Sequence, residues 1–292
     1  MRLEPMPKPG GGGEAPFAEL ADGRMLCLAC AETAVVDSSE GAPAYQDVCR
    51  FFEQELNLPV PREMREVPVL VVDSPTLNEQ THLNIKHGGA GVERGVPTTR
   101  GLTLSEVATV MHMAPGAMRF NFEQRRFETG RRTQVKLGEQ RVVTAILVLC
   151  GLPYASFSSV LAHEATHAWI KLHPSFPRHL PPQVEEGVCQ LVALLWLQHL
   201  AGESGRGSAG TDAGYEGWVD RRRRGPRVGG GGGDDGGPPS SDQLREFFAH
   251  QIKTDVSVVY GDGFRKAKAS YDAIGLAALL DHVKSYASFP MI

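Results

Sequence analysis

The ten residues LAHEATHAWI, at positions 161–170, hold two histidines four positions apart, His163 and His167, with Glu164 directly after the first. On an α-helix, residues i and i+4 lie about 40° apart around the axis, so both imidazoles can bind one metal ion. Zinc accepts neutral imidazole nitrogens, and a neighbouring glutamate can serve as general base. Chance would place on the order of 0.02 such patterns in a chain of this composition. The stretch therefore predicts a zinc site with a catalytic glutamate, in preference to a solvent-facing helix with incidental histidines.

A catalytic zinc site needs a third protein ligand, and the next predicted helix offers two adjacent glutamates. Glu186 stands 19 positions after His167, a spacing that resembles the gluzincin metallopeptidases, and Gly187 would let the two helices approach closely. Glu185 is the rival ligand, and the apolar periodicity of this helix leans slightly towards it. The alternative is a surface acidic pair favoured by the helix N-terminus. We expect Glu186 to bind the metal and Glu185 to orient a ligand histidine.

A peptidase also needs a hydrogen-bond donor for the oxyanion that develops on the scissile carbonyl. Tyr260, in the sequence VVYGDGF, is the first candidate, because Gly261 and Gly263 suit an exposed turn. His250 and His282 are alternative donors, and His250 is also an alternative metal ligand or supporting residue. For both histidines an ordinary position on a helix is the simpler interpretation.

The elements that must position these residues follow from the apolar patterns. Residues 67–73 and 142–150 are predicted strands, and the second is a candidate to bind extended substrate by strand addition. Residues 74–100 are predicted to form a long loop. The histidine helix is predicted to begin at a cap near Ser158 or Ser159 and to end near Leu172, and the glutamate helix to begin at Pro182. These features predict an α+β fold, with a sheet beside the histidine helix.

Composition limits both the organisation and the partners of the chain. Residues 1–22 and 201–241 are rich in glycine and are predicted to be disordered. Residues 41–292 are predicted to form one peptidase domain, in which 201–241 is an insertion. The 292 residues carry a net charge of −4, which gives no reason to expect nucleic acid as a partner. We identify no membrane-spanning run and no secretory signal, so a cytoplasmic or nuclear location is expected. Five scattered cysteines indicate reduced thiols, of which Cys150 and Cys189 are expected in the core.

Several segments resemble the peptidase region of the plant DA-one and DA-one-related proteins. They include VLAHEATHAWIKL, QVEEGVCQLVALLWL, FFAHQIKTD, VYGDGFRKA, VVTAILVLCGLP and LDHVKSYASFP, and the resemblance extends over about residues 23–290. It implies a ubiquitin-regulated zinc peptidase that restrains organ growth by cleaving proteins of growth-control and ubiquitin pathways. It also implies that His163, His167 and Glu186 bind one zinc ion, with Glu164 as the catalytic residue.

The chain departs from this family in two places. Members usually carry a LIM zinc domain before the peptidase, whereas here Cys27 and Cys30 resemble only its final cysteine pair, so residues 23–40 are expected to be a LIM remnant. Residues 1–26 also lack the acidic pattern of ubiquitin-interacting helices, which puts direct binding of ubiquitin in doubt. The expected partners are protein substrates and ubiquitin or ubiquitinated proteins. The alternative function is a catalytically silent zinc-fold adaptor or ubiquitin-pathway binding module.

Overall fold

The computed structural model describes residues 17–86, 100–114, 116–205 and 241–292. In chain order the helices are α1 (Leu28–Thr33), α2 (Ser38–Gln54), α3 (Arg62–Arg65), α4 (Ser74–Lys86), α5 (Tyr154–Leu172), α6 (Pro182–Gly205), α7 (Ser241–Thr254) and α8 (Gly263–Tyr286). The strands are β1 (Phe17–Glu19), β2 (Met25–Cys27), β3 (Ala34–Val35), β4 (Val69–Val72), β5 (Gly101–Ala114), β6 (Met118–Asn121), β7 (Arg126–Thr129), β8 (Thr133–Leu149) and β9 (Leu152–Pro153). A π-helical turn, Val258–Asp262, precedes α8. This mixture of helices and strands is compatible with the predicted α+β class.

The sheet nearest the histidine helix has the strand order β4-β8-β5. Strand β8 runs parallel to β4 and antiparallel to β5, and Leu147 of β8 pairs with Leu70 on one side and Leu102 on the other. Both edges of β8 are occupied over residues 146–149, so this part of the predicted 142–150 segment cannot accept a substrate strand. Its continuous apolar run is typical of an interior strand, and β5 is the edge strand beside α5.

Helices α2, α5, α6 and α8 enclose the main hydrophobic core of the described residues. The predicted apolar stripe of α2 is buried there, including Val48 and Phe52, and Asp37 caps this helix by accepting a hydrogen bond from the Ser39 amide. Trp169 of α5 and Trp196 of α6 are both buried in the same core. Apolar packing in this core therefore holds α5 and α6 in place.

Two predicted boundaries differ from the structure. Residues 74–86 form α4 instead of a loop, with the Asp73 carboxylate accepting a hydrogen bond from the Thr76 amide at 3.0 Å, and residues 87–99 lie outside the described residues. Helix α5 begins at Tyr154, because Pro153 supplies a φ of −54° that suits a helix start, so Ser158 and Ser159 lie buried inside it.

The two segments predicted to be disordered also begin or end with regular structure. Residues 201–205 continue α6, residue 241 opens α7, and 206–240 lie outside the described residues. Phe17–Glu19 forms β1, which pairs with β2, and 1–16 lie outside the described residues. The glycine and proline content of the neighbouring residues led to a prediction of disorder that included these short ordered ends. None of the helices in the described ranges has the length and apolar character needed to span a bilayer.

The far ends of β5 and β8 project as a long antiparallel ladder, and the short hairpin of β6 and β7 closes it. We call residues 105–141 the β-arm. On its hairpin Phe120 pairs with Phe127 across the strands, and the ring of Phe122 lies edge-on to that of Phe120. These rings pack against each other at the surface, away from the core that holds α5 and α6.

Candidate metal and catalytic site

Helices α5 and α6 pack against each other and carry the residues predicted to hold a metal. Small side chains such as Ala165, which is fully buried, let α5 lie deep in the core. His163 and His167 occupy successive turns of α5 on one face, as their i, i+4 spacing requires. The first turn of α6 places Glu185 and Glu186 against this face. The four side chains therefore meet between the two helices.

Three donor atoms converge at one point between the helices. His163 Nε2 lies 3.3 Å from His167 Nε2, and Glu186 Oε2 lies 3.0 Å from His163 Nε2 and 3.4 Å from His167 Nε2. Ligands at about 2.0–2.1 Å around a tetrahedral zinc ion are separated by about 3.3–3.4 Å along each edge. The three separations are therefore close to those of one face of a zinc tetrahedron. We call these three residues the His–His–Glu group.

Glu185 lies on the opposite side of the His167 ring. Its Oε1 is 2.7 Å from His167 Nδ1 and 3.8 Å from Lys171 Nζ. A carboxylate at Nδ1 favours a proton on that nitrogen, so the neutral form of His167 that a metal requires would direct its Nε2 lone pair towards His163 and Glu186. Glu186 is thus the glutamate nearer the meeting point of the imidazoles, and Glu185 has the position expected of an orienting residue. Their roles as ligand and support stay predictions.

The site is strongly coupled electrostatically. Burial alone would lower the pKa of His167, but the groups that face it, Cys189 and Glu186, raise that pKa well above its ordinary value. Burial alone would raise the pKa of Glu186, but the charge of His167 and the contact with His163 lower it well below its ordinary value. The pKa of Glu185 is also lowered, because its hydrogen bond with His167 outweighs burial. Glu186 is therefore an ionised oxygen donor.

Glu164 is buried against strand β5. Thr103 Oγ1 lies 2.7 Å from Glu164 Oε2 and 2.9 Å from the Glu164 main-chain oxygen. A Cβ atom on Gly101 would lie 2.7 Å from Glu164 Cγ and 2.8 Å from Oε1, so only glycine leaves room for this side chain. The carboxylate is therefore placed by the edge strand as well as by its own helix.

Tyr260 faces the same space from the π-helical turn. Its ring centroid lies 6.5 Å from that of His163, and desolvation, followed by the charge of Glu186, raises the pKa of its hydroxyl above its ordinary value. The hydroxyl is thus protonated at neutral pH and can donate a hydrogen bond. The start of α8, directly after this turn, lies close to α6 at Gly187. A Cβ on Gly187 would lie 2.4 Å from Gly263 O, so the close approach requires glycine there. Gly187 was expected to let α5 and α6 approach each other, and its nearest neighbours are instead at the start of α8.

Cys189 is a second candidate donor beside the histidines. One donor atom each from Cys189, His163 and His167 lies within 4.8 Å of the other two. Burial raises the pKa of the Cys189 thiol to about 12, so the thiol is protonated at neutral pH, whereas Glu186 is ionised. The Glu186 oxygen is consequently the better third donor, and Cys189 lies beneath it on the next turn of α6. The expected core position of Cys189 also fits, since it is fully buried.

The remaining predicted residues lie apart from this group. His250 is exposed on α7, and His282 on α8 stacks with Tyr286. Cys27 and Cys30 are buried at the start of α1, where Cys27 Sγ accepts a hydrogen bond from the Cys30 amide at 3.4 Å. Within the described ranges, neither cysteine belongs to a group of three metal-binding side chains.

Two residues at the site were missed from the sequence. Cys189 stands three positions after Glu186, and residues three apart share a helix face, so this spacing could have indicated it. Thr103 has no local signal of this kind, because it reaches Glu164 through the packing of β5 on α5, across 61 positions of sequence.

The fold is a mixture of helices and sheet, and two histidines and two glutamates lie together, partly buried, between α5 and α6. The chain belongs to the DA1-like family: the family model described as Protein DA1 matches residues 55–286. This confirms the resemblance drawn from the sequence motifs.

Individual relatives extend the match over most of the chain. Protein DA1 of Arabidopsis thaliana is 36% identical over 282 residues, which cover 94% of this chain and 47% of that protein. LIM domain-containing protein HDR3 of Oryza sativa subsp. japonica is 35% identical and covers 94% of this chain and 51% of its own length. The chain thus spans about half the length of these relatives. No solved structure matches it significantly.

Proposed function

We propose that this protein is a zinc-dependent peptidase with a gluzincin-like site. The observation that carries the proposal is the His–His–Glu group, whose donor separations of 3.0, 3.3 and 3.4 Å fit one face of a zinc tetrahedron. Two imidazoles and one carboxylate are a donor set typical of catalytic zinc, because they leave the fourth position open. His163, His167 and Glu186 would hold the ion, and Glu185 would orient His167.

Zinc in such a site polarises a peptide carbonyl and lowers the pKa of a water molecule. Glu164 then serves as the general base: its carboxylate takes a proton from the attacking water and delivers it to the leaving amine nitrogen. The Tyr260 hydroxyl, held protonated, would donate a hydrogen bond to the oxyanion that develops on the carbonyl. This division requires Glu164 to stay off the metal, and its bond with Thr103 supports that.

Strand β5 is the proposed binding edge for an extended substrate. The Leu149 amide donates to Arg100 O at 2.8 Å, which makes Arg100 and Leu149 a hydrogen-bonded pair of the antiparallel ladder. Hydrogen-bonded and non-bonded pairs alternate, so the main-chain polar groups of Gly101 and Thr103 face away from β8. They lie next to Glu164 and can pair with a substrate main chain, which favours endoproteolytic cleavage of an extended segment.

The biological setting is proposed from the family. Its plant members suggest cleavage of proteins in growth-control and ubiquitin pathways, in the cytoplasm or nucleus, with ubiquitin or ubiquitinated proteins as partners. One relative is called LIM domain-containing, and Cys27 and Cys30 are proposed as the remnant of such a domain.

Zinc-loaded protein should be incubated with unfolded casein and with a random peptide library read by mass spectrometry. We expect internal cleavages with the wild type and none with Glu164→Gln, although Glu164→Gln keeps one zinc per chain. Equal product from both proteins would refute the catalytic role of Glu164. Absence of cleavage by the zinc-loaded wild type would instead favour the zinc-fold adaptor.

A further inference from the structure

We infer that Thr103 is a positioning residue for Glu164, and that Gly101 is the second part of the same device. The inference rests on the proposed function, because Glu164 matters as a general base only in a hydrolase. It assigns to the edge strand β5 a second task besides pairing with substrate. Strand β5 would fix the direction of the catalytic carboxylate from outside the helix that carries it.

The first observation is the hydrogen bond itself. Thr103 is 4% exposed and Glu164 is 6% exposed, so neither side chain exchanges freely with water. Thr103 Oγ1 lies within hydrogen-bonding distance of both Glu164 Oε2 and the Glu164 main-chain oxygen, at 2.7 and 2.9 Å. A hydroxyl has one proton, so it can donate to only one of these two oxygens at a time. The same hydroxyl therefore has a partner whether or not it donates to the carboxylate.

This arrangement suits a base that gains and loses a proton. When Glu164 is ionised, the Thr103 hydroxyl donates to Oε2. When Glu164 carries the proton taken from water, that proton is on Oε1, so Oε2 remains an acceptor and the Thr103 hydroxyl either keeps its bond to Oε2 or turns to the main-chain oxygen of Glu164. No heavy atom has to move, and no buried polar atom loses its partner during transfer.

The second observation is the missing side chain at Gly101. A Cβ there would lie 2.6 Å from Val160 Cγ1 as well as within 2.8 Å of the Glu164 carboxylate. Both Val160 and Glu164 are on α5, one turn apart. The strand thus provides a recess at Gly101 and a hydrogen-bond partner two residues later at Thr103, and the Glu164 side chain fits between them.

The first test is a double-mutant cycle on zinc-free protein, measured as thermal midpoints, which needs no activity. Thr103→Val leaves a buried carboxylate without its partner and should lower the midpoint by on the order of 4 °C. In a Glu164→Ala background the same substitution should lower it by less than half as much. Thr81→Val is the matched control, because Thr81 is also buried and donates to a helix carbonyl, Leu77 O, at 2.8 Å. Its effect should be the same in both backgrounds.

The second test is turnover of casein by zinc-loaded variants. Thr103→Val should lower kcat roughly tenfold, a fraction of the 10²–10⁴ typical of a positioned base, with KM and zinc content unchanged. Thr103→Ser, which restores the hydroxyl, should return kcat to within about threefold of wild type, and Gly101→Ala should lower kcat with zinc retained.

Additive midpoints in the cycle, or a Thr103→Val variant with wild-type kcat, would overturn the inference. Failure of Thr103→Ser to restore kcat would do the same. If the wild type cleaves nothing, the proposed peptidase function is wrong. A non-additive cycle would then show only that the Thr103–Glu164 hydrogen bond stabilises the fold, without a catalytic role. The two failures are therefore distinguishable.

Discussion

The α5–α6 helix pair and the β-arm differ in how far their side chains are buried. In the helix pair, ionisable groups are packed among apolar residues such as Leu161 and Leu191, both at 0% exposure. In the β-arm, large apolar side chains lie in solvent: Phe122 is 84% exposed and Phe127 is 68% exposed. Catalytic geometry requires side chains whose orientations are fixed by packing, and only the helix pair meets this condition. The comparison favours the α5–α6 pair as the place for the proposed catalytic site, and it predicts that the distal β-arm can change without affecting that site.

The largest effect should follow removal of a ligand. His167→Ala should lower bound zinc from about one to below about 0.1 per chain, because two donors cannot complete a tetrahedral site. Metal content is measured by mass spectrometry of the purified protein after dialysis. His250→Ala is the control, since His250 is exposed on α7, and it should keep its zinc. If His250→Ala lost its zinc while His167→Ala kept it, the metal site would not be the one between α5 and α6.

The two adjacent glutamates should differ in the size of their effects. Glu186→Ala removes a donor and should weaken zinc binding more than about 100-fold, whereas Glu185→Ala removes the partner of His167 Nδ1 and should weaken it about 10–100-fold. Competition with a chromophoric chelator measures both constants. The reverse order would make Glu185 the ligand and leave Glu186 as the orienting residue.

Truncations in the two regions should separate core from surface. Leu191→Ala leaves a cavity in the main core and should cost about 2–5 kcal/mol of unfolding free energy. Phe127→Ser in the β-arm should cost less than about 1 kcal/mol, because the ring is 68% exposed and the main loss is its cross-strand contact with Phe120. Chemical denaturation of zinc-free protein gives both values. A larger cost for Phe127→Ser would show that the β-arm packs against something in solution.

The smallest effect on metal binding should come from Cys189. Cys189→Ser keeps the volume, and we expect zinc affinity within about threefold of wild type, with about 1 kcal/mol of lost stability from a buried hydroxyl. Titration with zinc and thermal melting measure the two quantities. A loss of affinity comparable to that of Glu186→Ala would move the third donor from oxygen to sulfur.

Features that depend on residues close together in the sequence could be predicted, and features that depend on distant residues could not. The pairing of His163 with His167 depends on helix geometry within one turn and could be predicted, as could the strand that became β4. The preference for Glu186 over Glu185 came from spacing and resemblance, and Glu186 is the glutamate nearer the meeting point of the imidazoles. Its role as a metal ligand stays a prediction. Helix α4 was missed because its residues are polar and its apolar pattern is weak.

What could not be predicted depends on strands meeting elements far away in sequence. The apolar run of β8 indicated a buried strand but not that β4 and β5 would occupy both of its edges. Likewise, nothing near Thr103 or Gly101 indicates that they border Glu164, because that contact exists only once β5 is aligned on α5. Local rules therefore predicted the two histidines on one helix face, and tertiary packing determined what surrounds them.

The most direct test is a crystal structure of the zinc-loaded protein with an anomalous difference map recorded at the zinc edge. The account predicts one strong peak between α5 and α6, at about 2.0–2.2 Å from His163 Nε2, His167 Nε2 and a Glu186 carboxylate oxygen. Glu164 should remain off the metal and within hydrogen-bonding distance of Thr103 Oγ1. A peak bound to Cys189 Sγ, or a zinc ion bound away from His163 and His167, would contradict it.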